Sequence, residues 1–290
     1  MGRYQYLPKV NEEMIMGKLR AVFELPLELY RNRTLIFKLS KNDFKTRYAG
    51  SYLGMVWAFI QPVVTILVYW FVFEKGLKAG GVLSKEGIEL PFVIWLSAGL
   101  IPWFFFSEAL NNATNALMEY SYLVKKVVFK ISILPIIKII SALFVHIFFV
   151  AFLLILCACY GYYPSLYTLQ VVYYSFCMFV FVLALSYATS AVVIFFRDLS
   201  QIINILLQIG MWVTPIMWQV SILDSEMLVK IFKLNPMYYV VDGYRQALFY
   251  HEWFWEHPFM TLYYWGLTAV LFLIGAIIFK RLKPHFADVL

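Results

Sequence analysis

Side chains able to exchange a proton are scarce in the apolar stretches of this 290-residue chain. His146 stands alone in one such run, Lys138 lies about two turns inside the same run, and Glu108 closes an earlier one. The three form no evident acid–base set, and a lone histidine on an apolar run is expected to be a hydrogen-bonded core residue. A proton-coupled carrier needs ionisable groups near mid-membrane, which these runs almost lack. There is no G-x-x-x-x-G-K-[ST] loop to cradle nucleotide phosphates, no H-E-x-x-H and no G-x-S-x-G. Cys157, Cys159 and Cys177 fall inside apolar runs without metal-ligand spacing and read as small core residues. Aromatic rings are abundant instead, among them Trp57, Tyr69, Trp70, Phe104, Trp212 and Trp218. Most rings in lipid serve packing or the interface. Ring faces also meet the C–H faces of sugars, and a sliding polymer needs that weak, repeated contact, as conduction needs several weak sites.

These residues sit in a chain that is 62% apolar, 20% aromatic and only 14% charged, with a mean hydropathy of +0.74. That composition excludes an ordinary soluble enzyme, a disordered chain and a disulfide scaffold, and makes the bilayer the natural solvent. Charge-free runs predict six membrane-spanning helices, at about 52–73, 90–110, 131–160, 168–196, 199–219 and 258–279. The turn-forming cluster Gly161-Tyr162-Tyr163-Pro164-Ser165 splits the longest run into spans three and four. Backbone groups in lipid must pair internally, and the runs lack barrel-type alternation, so the expected fold is all-α and polytopic. No cleaved signal peptide is expected at the start of the chain.

Seventeen of the 24 Lys and Arg residues fall before span one, between spans two and three, between spans four and five, or in the tail. Six fall on the other side, which predicts both termini in the cytoplasm. The net charge of +7 is read as topology signal beside anionic lipid, with no nucleic-acid partner. Residues 33–48 mix Leu35, Ile36, Phe37, Leu39, Phe44 and Tyr48 with Lys41, Lys45 and Arg47, which predicts an amphipathic interfacial helix, either an anchor or a lever on span one. The stretch 111–130 is expected to be a cytoplasmic loop whose short helix is capped by Asn111 or Asn112. Residues 219–257 contain two short apolar stretches, about 226–234 and 236–249, that predict re-entrant or interfacial helices. Gly50 with Gly54, and Ala184 with Ala188, have the spacing of close helix contacts.

Five stretches carry a resemblance. SYLGMVWAFIQPVVTILVYWFVFEKGL (51–77), LPFVIWLSAGLIPWFFFSEAL (90–110), FFRDLSQIINILLQIGMWVTPIMW (195–218), LNPMYYVVDGYRQALFY (234–250) and KPHFADVL (283–290) are similar, in order, to the ABC-2 type permeases. These export O-antigen, capsular polysaccharide and teichoic acid. The likeness runs from about residue 35 to the end, leaving 1–32 as an N-terminal extension on a transmembrane domain of 33–290. It implies a homodimer paired with two copies of a separate nucleotide-binding subunit that holds the ATP and magnesium, with no catalytic group, cofactor or metal in this chain. It further implies export of a lipid-pyrophosphate-linked polysaccharide, of O-antigen or teichoic-acid type, through a bacterial inner membrane. On that reading Lys41, Lys45 and Arg47 receive the anionic lipid head. The rings of Trp57, Tyr69, Trp70, Phe104, Trp212 and Trp218 line the channel, and Glu119, Tyr120, Tyr122, Lys125 and Lys126 couple to the ATPase. A membrane transferase acting on lipid-linked sugars and an ABC-2 exporter of a small lipid or drug are the alternatives.

Overall fold

The computed structural model describes residues 26–47, 49, 52–78, 82–83, 89–125 and 130–290. The expectations placed on the first 25 residues, on Tyr48 and Gly50, and on Lys126 lie outside the described residues. The described chain is almost wholly helical. Helix α1 (Arg33–Arg47) precedes span one, which comprises a 3-10 turn (Gly54–Val56), α2 (Trp57–Trp70) and a π-helical turn (Phe71–Gly76). A two-residue antiparallel ladder, β1 (Val82–Leu83) with β2 (Glu89–Leu90), leads into α3 (Phe92–Glu119). Then come α4 (Ser121–Val124), α5 (Leu134–Cys159), α6 (Gln170–Val193) and α7 (Leu199–Val213). Two short helices, α8 (Glu226–Lys233) and α9 (Pro236–Arg245), precede α10 (Pro258–Leu282) and the terminal α11 (Phe286–Val289).

Among the described residues, five helices are long and apolar enough to cross a bilayer. The expected fifth span is shorter: α7 has 15 residues, about 22 Å against a hydrocarbon core of about 30 Å. Its early stop has a local cause. Pro215 disfavours a helical conformation in the residue before it, and Thr214 is extended, with ψ 128°. Span two departs the other way, since α3 continues nine residues past its expected end. Asn111 and Asn112 are therefore inside the helix, not caps of a loop, and Glu108 lies well before its end. The extension is helical because its inward face packs: Ala109, Ala113, Ala116 and Leu117 are fully buried.

Helix α3 is the axis of the fold and packs against α5, α6, α7 and α9. In its most apolar window 83% of the residues are buried, whereas in span one only 11% are. One face of α2, with Val64, Leu67, Val68 and the following Phe71, is thus left open. Ala184 and Ala188 do serve a close contact: a β carbon on Gly275 would stand 2.7 Å from the Ala184 carbonyl oxygen and 3.3 Å from the Ala188 nitrogen. Gly54 has φ +52° and open space around it, which marks a turn. Gly275→Val must push α10 off α6, and overpacking of this kind costs about 1–3 kcal/mol. A lowered midpoint in thermal unfolding of the detergent-solubilised protein is expected. Gly266→Ala, with nothing within 4 Å of the added carbon, should not lower the midpoint, since alanine is the better helix former.

Candidate functional site

Helix α1 docks through a stripe that is only partly apolar. Ile36, Ser40 and Asp43 are buried, while Leu35 and Phe37 are exposed. Phe37 and Phe44 both meet Phe144 of α5 edge-on at 5.9 Å. The buried Lys138 of α5 needs a counter-ion, because an unpaired buried charge is strongly unfavourable. Its ammonium donates to Asp43 at 2.7 Å and to Glu119. Tyr120 donates to the same Asp43 carboxylate at 2.6 Å. Arg47 reaches Asp43 at 3.1 Å, Glu108 at 2.5 Å and the Ser141 hydroxyl at 3.2 Å. One network thus joins α1, both the middle and the end of α3, and α5.

Burial alone would raise the Asp43 pKa, but hydrogen bonds from Lys138 and Tyr120 and the nearby ammonium outweigh it and hold the carboxyl below 3.8. The Tyr120 hydroxyl is pushed the other way, by burial first and then by its bond to Asp43. The ions are unevenly exposed, with Lys138 and Asp43 nearly sealed and the Glu119 side chain half exposed. A cavity of about 320 Å³ opens beside them, lined by Asp43, Thr46, Arg47, Asn112, Glu119, Tyr120 and Lys138.

Arg47 and Asn112 also line a larger cleft of about 770 Å³ between α2, α3 and α7. Helix α2 contributes Trp57, Gln61 and Thr65, and α3 contributes Trp103, Phe104, Ser107, Glu108 and Asn111. Helix α7 contributes Gln201, Asn204, Gln208 and Met211. Pro62 on the same wall cannot donate to the Ala58 carbonyl one turn back, which leaves that acceptor without its helical donor. Amides pin the walls together: Asn111 donates to Asn204 at 2.6 Å, and Ser200 donates to Asn115 at 2.7 Å. Gly210 makes room for the Trp103 indole, which lies 2.9 Å from where a β carbon would stand. Uncharged donors and acceptors interleaved with ring faces suit a neutral polyhydroxyl chain better than an ion. The Arg47–Glu108 pair supplies the charge of the cleft.

The expected ring residues divide between places. Trp57 and Phe104 line the cleft. Tyr69 and Trp70 lie further along span one, where the Trp70 indole donates to Glu74 at 2.6 Å. Trp212 is exposed near the far end of α7, and the Trp218 indole donates to its carbonyl at 3.0 Å. Of the expected lipid-head residues, Lys41 and Lys45 are exposed on α1, but Arg47 is engaged in the ion network. Of the expected coupling residues, Tyr120 bonds inward to Asp43, Glu119 meets Lys138 while staying half exposed, and Tyr122 and Lys125 are exposed. Sequence reasoning missed Asp43 and the amides Gln61, Gln201, Asn204 and Gln208. The signal was present as uncharged polar residues at three- and four-residue spacing inside apolar runs. His146 is a core residue as expected, its Nε2 within 3.1 Å of the Ser175 and Tyr244 hydroxyls.

Comparison with known proteins places this architecture in a class. Residues 34–249 match the family model described as ABC-2 type transporter. The chain belongs to that family of membrane transporters. It is 30% identical over 270 residues to the O-antigen export system permease protein RfbA of Myxococcus xanthus, covering 92% of this chain and 99% of that one. It is 24% identical over 258 residues to the protein of the same name in Klebsiella pneumoniae, covering 88% and 95%. A shorter match, 28% identical over 75 residues, is to the polysialic acid transport protein KpsM of Escherichia coli, covering 26% and 27%.

Lys138→Met leaves Asp43 buried without its ammonium, and breaking such a pair costs about 3–5 kcal/mol. The expected result is a large fall in the unfolding midpoint, with a smaller fall in the Asp43→Leu/Lys138→Met double variant. The pH dependence has a definite sign. With its folded pKa below 3.8, Asp43 contributes its full stability above that value and loses it as pH falls through the lowered pKa. The gap between wild type and Asp43→Asn should stay constant from neutral to mildly acidic pH and close only in stronger acid.

Proposed function

We propose that this chain is the permease half of an ATP-driven exporter that passes an O-antigen-type polysaccharide across the cytoplasmic membrane. The observation that carries the reading is the 770 Å³ cleft of amides, hydroxyls and rings in a family permease. The names of the RfbA and KpsM relatives support the same substrate class. Each polar group taken into hydrocarbon unpaired costs several kcal/mol, so a glycan needs a continuous polar path. The open faces of α2 and α7 border the cleft, and a second copy of the chain would close it into a channel.

In this reading both termini lie in the cytoplasm, where Lys41 and Lys45 on α1 attract the pyrophosphate head of a lipid-linked glycan. Arg47 stands at the junction of the two cavities, where the head leaves α1 for the cleft. ATP and magnesium are held by a separate nucleotide-binding subunit, in two copies. Its closure pushes on α4 through Tyr122 and Lys125, and Glu119 and Tyr120 pass the movement to α1 through Asp43 and Lys138. Ring contacts along the path supply grip without tight binding.

The test is reconstitution with the partner ATPase in proteoliposomes and measurement of glycan transfer. Ring stacking is worth roughly 1–3 kcal/mol per contact in analogous sequence-tolerant sites. Trp57→Ala and Gln208→Leu should each lower transfer about tenfold while the complex still assembles and hydrolyses ATP. Full transfer by both variants would remove the cleft from the path, and turnover of a lipid-linked sugar by the permease alone would favour a transferase.

A further inference from the structure

We propose that a second cavity, between α8, α9 and the start of α10, is a saccharide site that holds one sugar unit of the glycan at the end of the molecule remote from α1. This inference rests on the export reading above. The cavity measures about 280 Å³, close to the lower end of small-molecule sites at about 300 Å³. It shares no lining residue with the cleft. Its walls carry Lys233, Tyr238, Asp242, Gln246, Tyr250 and His257.

The placement follows from the local fold. Asn235 caps α9 by accepting from the Met237 amide at 3.0 Å, and it donates to the Thr214 hydroxyl at 2.8 Å. This sets α9 against the point where α7 stops. Tyr238, Asp242 and Gln246 then follow at four-residue spacing, along α9 and into the π-helical turn Gln246–Tyr250, so that they stand on one face. The polar groups are fixed in advance. Gln246 donates to Asp242 at 2.9 Å and accepts from the Tyr174 hydroxyl at 3.4 Å. His257 is oriented by Glu252 at 3.0 Å. Gly243 lets α9 approach α6 closely, since a β carbon there would fall 2.1 Å from the Tyr174 ring. Groups held in place before a ligand arrives lose little entropy on binding it.

The chemistry selects a neutral polyol. A carboxylate accepts from adjacent hydroxyls, an ammonium and an amide donate to ring or hydroxyl oxygens, and tyrosine faces cover C–H surface. A phosphate would meet Asp242, and an added cation would meet Lys233, so both are disfavoured where a sugar finds partners of both kinds. A weak site here lets an emerging chain be held for a moment and released.

The experiment is saturation-transfer NMR on the full-length permease in detergent, with the methyl glycosides of glucose, galactose, mannose and N-acetylglucosamine as probes. At least one should receive saturation. The signal should fall at least fivefold in the near-isosteric Asp242→Asn and in Tyr238→Ala, persist in Tyr238→Phe and be unchanged in Ile155→Ala, an exposed position on α5 that lines neither cavity, all with unaltered unfolding midpoints. Four outcomes overturn the proposal: no transfer to any probe; transfer indifferent to Asp242 and Tyr238; transfer abolished by Trp57→Ala alone; or binding of methyl phosphate or tetramethylammonium in place of the glycosides. Wild-type complex that transfers glycan in proteoliposomes without sugar binding here refutes this site alone. Absence of transfer by the complex refutes the export reading.

Discussion

A lysine ammonium withdrawn from water imposes the central constraint on this structure. Lys138 is nearly sealed at the start of α5, and a buried charge must be neutralised by something that comes to it. Asp43 arrives from α1, Glu119 from the end of α3, and Tyr120 completes the Asp43 carboxylate. The same carboxylate orients Arg47, whose other partner is Glu108 in the interior of α3. Satisfying one charge therefore fixes the depth and rotation of α1 and the end of the longest helix. It also sets the side chain at the junction of the two cavities.

The second organising feature is the long central helix. Because α3 packs on α5, α6, α7 and α9, its side chains meet every functional region. Toward one end it holds Trp95, over which the Arg245 guanidinium lies at 3.4 Å. Arg245 in turn donates to the Pro215 and Ile216 carbonyls at 2.8 Å, the segment freed when α7 stops short. At the middle, α3 offers Phe104, Ser107 and Asn111 to the cleft, and at the other end it meets the ion network. The packed length of α3 thus connects the ion network with the cleft and with α9.

Hydrophobicity and helicity were legible from the sequence, and so were the two short helices near 226–249, which Asn235-Pro236 separates as its chemistry requires. The end of span two was not. The amides at 111, 112 and 115 look like a loop boundary, but the buried alanines beside them carry the helix on, and Asn111 and Asn115 find partners on α7. The length of span five was misjudged for a related reason: a run of apolar residues continues through Thr214-Pro215, and the backbone does not. Among the site residues, the rings attracted attention because they are large and numerous. Trp57 and Phe104 do line the cleft, while Tyr69, Trp70, Trp212 and Trp218 lie elsewhere in the single chain.

By itself the sequence determined that the chain lives in oil and crosses it as helices. Composition sets transfer free energy, and local backbone pairing is the remedy available to each segment alone. It also determined the family, through motifs distributed along nearly the whole chain. Only the tertiary structure decided which polar residues face one another. Asp43 with Lys138, Asn111 with Asn204 and Asn235 with Thr214 each look ordinary in isolation. Their meaning comes from partners, most of them tens of residues away in the chain, whose approach is set by the packing of helices and not by any local preference.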